Sequence, residues 1–170
     1  PQFKNAHFES LNNKFIVHRE VEKMSKSKYN VINPDQICND YGADTLRLYE
    51  MFLGPIEQAK PWNTAGISGT YSFLKKFWNL FHSTGKFYVC DEDPSKESLK
   101  VLHKTIKKIE DDINNFSFNT SVSAFMICVN ELSSQKCNNL YVLKNLTILL
   151  SPFAPHICEE IWSKLGNSNT

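Results

Sequence analysis

A repeat of apolar residues at helical spacing in the second half of the chain is the feature that most constrains the fold. Its first set is spaced i, i+3, i+4 and i+7, which places it on one face of an α-helix: Leu74, Phe77, Trp78 and Phe81. The same spacing recurs in residues 99–113, 122–129 and 157–165, and residues 140–150 are apolar on most faces. Such helices, joined by short polar loops, bury these faces against one another, so we predict an antiparallel helical bundle in a mainly α fold.

The composition agrees with a packed body of this kind. Hydrophobic residues make up 41% of the 170 residues and aromatic residues 12%, which excludes a disordered tail and suits one domain with a core. The formal net charge is +1, and Arg19 and Arg47 are the only arginines among 19 Lys and Arg residues. Contact with nucleic acid would therefore have to come from a local patch, because the chain has no overall basic field.

The cysteines argue against a metal site. None of the five lies in a CxxC pair, and no histidine stands at ligand spacing from a cysteine pair: Cys38, Cys90, Cys128, Cys137 and Cys158. Scattered cysteines in odd number suit a reducing compartment, and no apolar run is long enough to cross a bilayer. We therefore expect a cytoplasmic protein with no membrane contact and no metal site in these residues.

The residues before the bundle predict a strand, a loop and two short helices. Phe15 and Val17 fit a short strand, and the polar residues 23–30 fit an exposed loop. Pro34 suits the first position of a helix that should end before Gly42, which can supply a left-handed turn. We therefore predict a short β/loop segment ahead of the helices.

The second short helix carries two charged residues with more than one interpretation. Asp44 is a good N-cap for this helix, and it stands three residues before Arg47, so the two side chains could pair on one face. Arg47 could instead contact an RNA backbone. Caps and ion pairs are commoner than ligand contacts, which favours the structural role.

The most distinctive chemistry lies in five consecutive residues of the loop: Lys23, Met24, Ser25, Lys26 and Ser27. They supply two ammonium and two hydroxyl groups with no acidic group, and Lys28 adds a third positive charge. Ammonium, hydroxyl and backbone N–H groups all bind phosphate oxygens. A solvated basic loop has the same composition, so the residues by themselves leave both interpretations open.

These five residues resemble the KMSKS signature of the class I aminoacyl-tRNA synthetases. Residues 41–47 (YGADTLR) resemble the block that follows the signature, and residues 151–156 (SPFAPH) with Trp162 resemble the block that closes the anticodon-binding helical domain. Residues 48–55 are similar to the leucine enzymes of this family. The valine and isoleucine enzymes commonly have Leu-Gly where this chain has Lys28 and Tyr29.

The resemblance implies a chemistry for the loop. These enzymes join an amino acid to ATP, used with Mg²⁺, release pyrophosphate, and move the aminoacyl group to the 3′ end of tRNA. By position, Lys26 and then Lys23 are the implied catalytic residues, because their charge meets that of the leaving phosphates. Ser25 and Ser27 are the implied phosphate donors, and Met24 is expected to lie toward the adenine.

Other parts of such an enzyme have no counterpart in the sequence. The family's second signature, a HIGH-type motif, does not occur, and the histidines are scattered: His7, His18, His82, His103 and His156. No amino-acid pocket or editing domain is recognisable, so we expect these residues alone to be inactive. The chain begins at Pro1 without a methionine, which suggests a piece of a longer protein, although a processed N-terminus would look the same.

The resemblance also implies a surface for tRNA, with phosphate contacts rather than base readout. The candidate contacts are Lys75, Lys76, Lys100, Lys104, Lys107 and Arg47. Solvated helix faces would look the same, since the acidic residues 110–112 follow the lysines directly. Trp62 could stack on a base, whereas Trp78 and Trp162 are predicted to be buried.

The implied organisation has three parts. Residues 1–30 would be the end of a catalytic domain with the KMSKS loop, residues 31–60 two connecting helices, and residues 61–170 a tRNA-interacting helical domain. The expected partners are leucine, ATP and tRNA(Leu), and we expect a monomer. Three alternatives remain open: an isoleucine, valine or methionine enzyme of the same class, a non-catalytic tRNA-binding module, and a plain helical interaction domain.

Overall fold

The computed structural model describes residues 20–83 and 85–167. The strand predicted around Phe15 and Val17 lies outside these residues, as do His7 and His18. The chain divides into a first compact unit that ends at Pro34 and a second that begins at Asp35. The KMSKS loop belongs to the first unit and the helical bundle to the second.

From Pro34 onward the described residues are mainly helical, which confirms the predicted fold class. The helices are α1 (Pro34–Tyr41), α2 (Ala43–Phe52), α3 (Ile67–Asn79), α4 (Lys96–Asn114), α5 (Phe118–Ser134), α6 (Leu140–Leu150) and α7 (Pro155–Lys164). Gly42 separates α1 from α2 with a φ of 88°, as its predicted turn requires. A small antiparallel hairpin of β1 (His82–Ser83) and β2 (Lys86–Phe87), which the sequence did not predict, follows α3.

The core is made by the predicted apolar faces of α3 to α7. Its largest fully buried side chains include Phe77, Leu102 and Phe125. Leu48 of α2 is also fully buried in this cluster, so α2 packs into the same core.

Ile113, Trp78 and Trp162 are less buried than the sequence predicted. Ile113 is 42% exposed because it lies in the last turn of α4, where the chain turns toward α5. Trp78 and Trp162 are half-buried, because both rings pack against neighbouring groups but stay partly accessible. The Trp78 ring stacks at 4.8 Å on the His82 ring, and the Lys144 ammonium lies 4.9 Å from the Trp162 ring.

Asp44 caps a helix, but not the one that the sequence predicted. The N-cap of α2 is Gly42, and Asp44 lies inside the first turn with only 7% of its surface exposed. Its carboxylate accepts the backbone N–H groups of His156 at 3.3 Å and Ile157 at 2.7 Å. It therefore caps α7, whose own N-cap residue, Ala154, has no side-chain acceptor.

The predicted ion pair of Asp44 with Arg47 is not formed, because both side chains instead bind residues between α6 and the first turn of α7. Arg47 donates a hydrogen bond to the backbone oxygen of Pro152 at 3.0 Å. His156 Nδ1 lies 2.8 Å from an Asp44 carboxylate oxygen. The two sequence blocks at 41–47 and 151–156 are thus bound to each other in the fold.

Removing the Asp44 carboxylate tests this cap. We expect Asp44→Ala to lower the free energy of unfolding by about 2 kcal/mol, because two N–H groups at the start of α7 lose their acceptor. Urea unfolding of the chain, followed by circular dichroism, measures this change. The exposed Asp93→Ala is the matched control and should change stability by less than about 0.5 kcal/mol. Equal effects of the two substitutions would contradict the capping role.

Replacing glycine by alanine should have opposite effects on stability at two positions near the start of α3, Gly66 and Gly69. A Cβ on Gly66 would lie 2.8 Å from the Tyr49 hydroxyl, which is fixed by a hydrogen bond to the Asn63 oxygen. A Cβ on Gly69, inside α3, would meet nothing within 4 Å. We expect Gly66→Ala to destabilise the chain by about 1–3 kcal/mol, and Gly69→Ala to stabilise it by about 0.5–1 kcal/mol. Parallel urea titrations measure both, and two changes of the same sign would contradict the packing described.

Candidate functional site

The KMSKS loop has a defined backbone rather than a featureless one. Ser25 is extended, and Lys26–Lys28 form a 3₁₀ turn in which the N–H of Lys28 donates to the Ser25 oxygen at 3.1 Å. Tyr29 ends the turn in the left-handed region with a φ of 51°. The chain therefore reverses within the signature and the residues just after it.

Asn30 joins the two ends of this reversal. Its Oδ1 accepts the backbone N–H of Ser25 at 2.8 Å, and its Nδ2 donates to the backbone oxygen of Lys23 at 3.3 Å. Sequence reasoning treated Asn30 only as a flanking residue. The signal that could have found it is the asparagine itself, because a short amide side chain after a turn often bonds to nearby backbone groups.

The three lysines of the loop differ in their surroundings. Lys28 forms an ion pair with Glu22 at 3.2 Å, so the third charge counted from the sequence is balanced locally. Lys23 and Lys26 are exposed, and within the described part of the chain neither ammonium has a carboxylate partner. The two unbalanced charges of the loop are therefore those of the two lysines predicted to be catalytic.

The neutral side chains of the signature are also accessible. The hydroxyl oxygens of Ser25 and Ser27 lie 2.8 Å apart, so one donates to the other and the second keeps its proton for another acceptor. Met24 is 40% exposed. The loop thus offers two ammonium groups and one free hydroxyl donor to an anion, which is a set of groups suited to phosphate oxygens.

The candidate tRNA contacts fall into two groups. Three already have partners: Arg47 bonds to Pro152, the Lys76 ammonium donates to Asn130 Oδ1 at 2.9 Å, and the Lys75 ammonium lies 4.4 Å from the Tyr71 ring centroid. The other three are exposed on α4: Lys100, Lys104 and Lys107.

Two of these α4 lysines border a groove between α4 and α5. Lys104 and Lys107 are among the residues that line this groove of about 450 Å³. Neighbouring Lys108 is bound to the buried Asp112 carboxylate at 2.5 Å, so its charge is balanced. The positive charges that border this groove without such a pairing are therefore those of Lys104 and Lys107.

Two of the cysteines are thiols that burial keeps protonated. All five are free thiols, and burial raises the pKa of Cys128 to about 11 and also raises that of Cys158. Both therefore stay protonated and unreactive near neutral pH. In residues 20–83 and 85–167, no group of three His, Cys, Asp or Glu side chains is placed to hold a metal ion. None of the described helices is long and apolar enough to cross a membrane.

Two known families match successive parts of the chain. Residues 3–62 match the family described as tRNA synthetases class I (I, L, M and V). Residues 95–170 match the family described as the anticodon-binding domain of tRNA ligase. The loop thus falls in the first match and helices α4 to α7 fall in the second.

Individual relatives agree with these families. The leucine–tRNA ligase of Christiangramia forsetii is 65% identical over 170 residues, and that of Flavobacterium psychrophilum is 67% identical over 168. These alignments cover 100% and 99% of this chain but only 18% of each relative, so the chain spans about a fifth of their length.

A solved structure shows the same fold. It is the crystal structure of a ternary complex of LeuRS from Agrobacterium radiobacter with tRNA and LeuAMS. It superposes with a TM-score of 0.71 at 29% identity, over 86% of this chain and 21% of that one. The sequence signature, the helical fold and these relatives agree, and the chain belongs to the class I aminoacyl-tRNA synthetase family as a segment that matches the leucine–tRNA ligases.

Proposed function

We propose that this chain is part of a leucine–tRNA ligase that activates leucine with ATP and transfers it to tRNA(Leu). Relatives of that name are 65% and 67% identical to it, which favours leucine over isoleucine, valine or methionine. The proposed role in ATP activation rests on one observation: among the described residues, Lys23 and Lys26 of the loop are exposed and have no carboxylate partner. The five free cysteines, none paired in a disulfide, agree with a reducing cytoplasm.

In the activation step the leucine carboxylate attacks the α-phosphorus of ATP. The bond from that phosphorus to the bridging oxygen breaks, and pyrophosphate leaves with the electron pair. Negative charge therefore grows on the β- and γ-phosphates during the reaction. A cation that meets this charge mainly in the transition state raises the rate rather than only tightening ATP binding.

The loop supplies such cations. Lys26 is the first catalytic residue of the proposal and Lys23 the second, and the hydroxyls of Ser25 and Ser27 and the exposed Met24 complete the ATP contacts. Mg²⁺ would arrive bound to the ATP phosphates. The other parts of the active site would come from the rest of the longer protein, so the segment alone should be inactive.

The helical part would contact tRNA through its phosphates. Lys100, Lys104 and Lys107 stand at i, i+4 and i+7 on α4, which puts them on one face at rises of about 6 and 4.5 Å. We therefore propose residues 61–170 as the tRNA-interacting domain, residues 31–60 as its connection, and residues 1–30 as the end of the catalytic domain.

Lys26→Ala in the full-length protein tests the loop. We expect leucine-dependent ATP–pyrophosphate exchange to fall by roughly 10²–10³, the usual scale for losing one transition-state donor. Lys28→Ala is the matched control from the same turn, and it should change the rate less than about threefold because Lys28 is paired with Glu22. An unchanged rate in Lys26→Ala, or an equal loss in both variants, would contradict the assignment.

Replacing two α4 lysines tests the tRNA surface. We expect Lys104→Ala with Lys107→Ala to raise the KM for tRNA by roughly 10-fold and to reduce its dependence on salt, because two phosphate contacts are lost. Pyrophosphate exchange should not change, since it does not need tRNA contact at this surface. Lys86→Ala, on the exposed hairpin, is the control. An unchanged KM for tRNA would mean that Lys104 and Lys107 lie on a solvated helix face and do not contact tRNA.

A further inference from the structure

We propose that Asn30 is a positioning residue, which holds the loop in the conformation that presents Lys26 to the phosphates of ATP. This inference rests on the proposed function of the loop. Asn30 would not touch ATP itself. It would act through the backbone of Lys23 and Ser25, on either side of Met24.

The two hydrogen bonds of Asn30 restrain the backbone from both sides of one residue. The Lys23 oxygen receives the Nδ2 donor at 3.3 Å, and the Ser25 N–H donates to Oδ1 at 2.8 Å. Because one amide plane makes both bonds, the carbonyl of residue 23 and the N–H of residue 25 keep a fixed relative orientation. Lys26 follows directly and begins the 3₁₀ turn.

The other side-chain contacts of the loop do not restrain its backbone in this way. The bond between the Ser25 and Ser27 hydroxyls and the pair of Lys28 with Glu22 each join two side chains, which can separate without moving the backbone. In the described residues, the Lys26 ammonium has no partner that would fix its direction. Its placement therefore depends on the backbone from which it projects.

The turn before Asn30 brings its side chain back to the loop. Tyr29 adopts the left-handed conformation with 87% of its surface exposed, and its N–H donates to the Lys26 oxygen at 3.1 Å. A non-glycine residue in this region is uncommon and costs free energy. The two bonds of Asn30 help to offset that cost, so the turn and the asparagine form one arrangement.

Preorganisation of this kind affects the rate more than binding. If Asn30 were lost, ATP could still enter, but the loop would sample many conformations and the ammonium of Lys26 would meet the phosphates in few of them. Misplacing a catalytic group by about 1 Å can cost about 10²-fold in rate. The expected signature is therefore a lower kcat with little change in the KM for ATP.

A double-mutant cycle in the full-length protein tests the inference. Pyrophosphate exchange is measured for Asn30→Ala, Lys26→Ala and the double variant, with Asn39→Ala, an exposed asparagine of α1, as the control. We expect Asn30→Ala to lower kcat about 10- to 100-fold, with the KM for ATP changed less than about threefold. In the Lys26→Ala background the same substitution should cost less than about threefold, because the group it positions is already gone.

Each other outcome overturns the inference in a recognisable way. An unchanged kcat in Asn30→Ala, or losses that multiply in the double variant, would show that Asn30 does not act through Lys26. If Lys26→Ala itself left exchange unchanged, the proposed function of the loop would fail first. Asn30→Asp is a second variant, which keeps the acceptor for the Ser25 N–H but sets a negatively charged oxygen against the Lys23 oxygen in place of the donor. It should fold and still lose rate, and full activity in this variant would also overturn the inference.

Discussion

The helical part of the structure depends on the hydrogen bonds that the Asp44 carboxylate accepts from the start of α7. It is buried, and burying a charge is costly unless hydrogen bonds and an opposite charge compensate for it. The first turn of α7 provides both, through two backbone N–H groups and the positive end of the helix dipole. Since Ala154 cannot cap α7, the helix begins at Pro155 with its acceptor supplied from α2, 112 residues away in sequence.

This contact closes the helical unit on itself. Arg47, one turn after Asp44, binds the Pro152 oxygen, so α2 holds both the end of α6 and the beginning of α7. Leu48 anchors the other side of α2 in the core. The blocks at residues 41–47 and 151–156, which resemble a known family at distant points of the sequence, are therefore the two sides of one interface. Each block supplies hydrogen-bond partners to the other.

Much of the fold followed from periodicity, because helices that bury one face must repeat apolar residues every 3.6 positions. The positions of α3 to α7 were predicted in this way. The partner of Asp44 was not, since a cap between distant elements leaves no mark in local sequence. The pairing of β1 with β2 and the partial exposure of Trp78 were missed for the same reason: both depend on neighbours that only the folded chain brings together. In the loop the charged residues were recognisable, but the role of Asn30 depends on a reversal that sequence did not reveal.

We propose that these residues belong to an enzyme that activates leucine. Amino-acid-dependent ATP–pyrophosphate exchange by the full-length protein tests it most directly, with leucine, isoleucine, valine and methionine compared at equal concentration. We expect rapid exchange with leucine and much slower exchange with the other three. Exchange that is fastest with another amino acid would contradict the leucine assignment, and a folded protein that exchanges with none of them would contradict the enzyme itself.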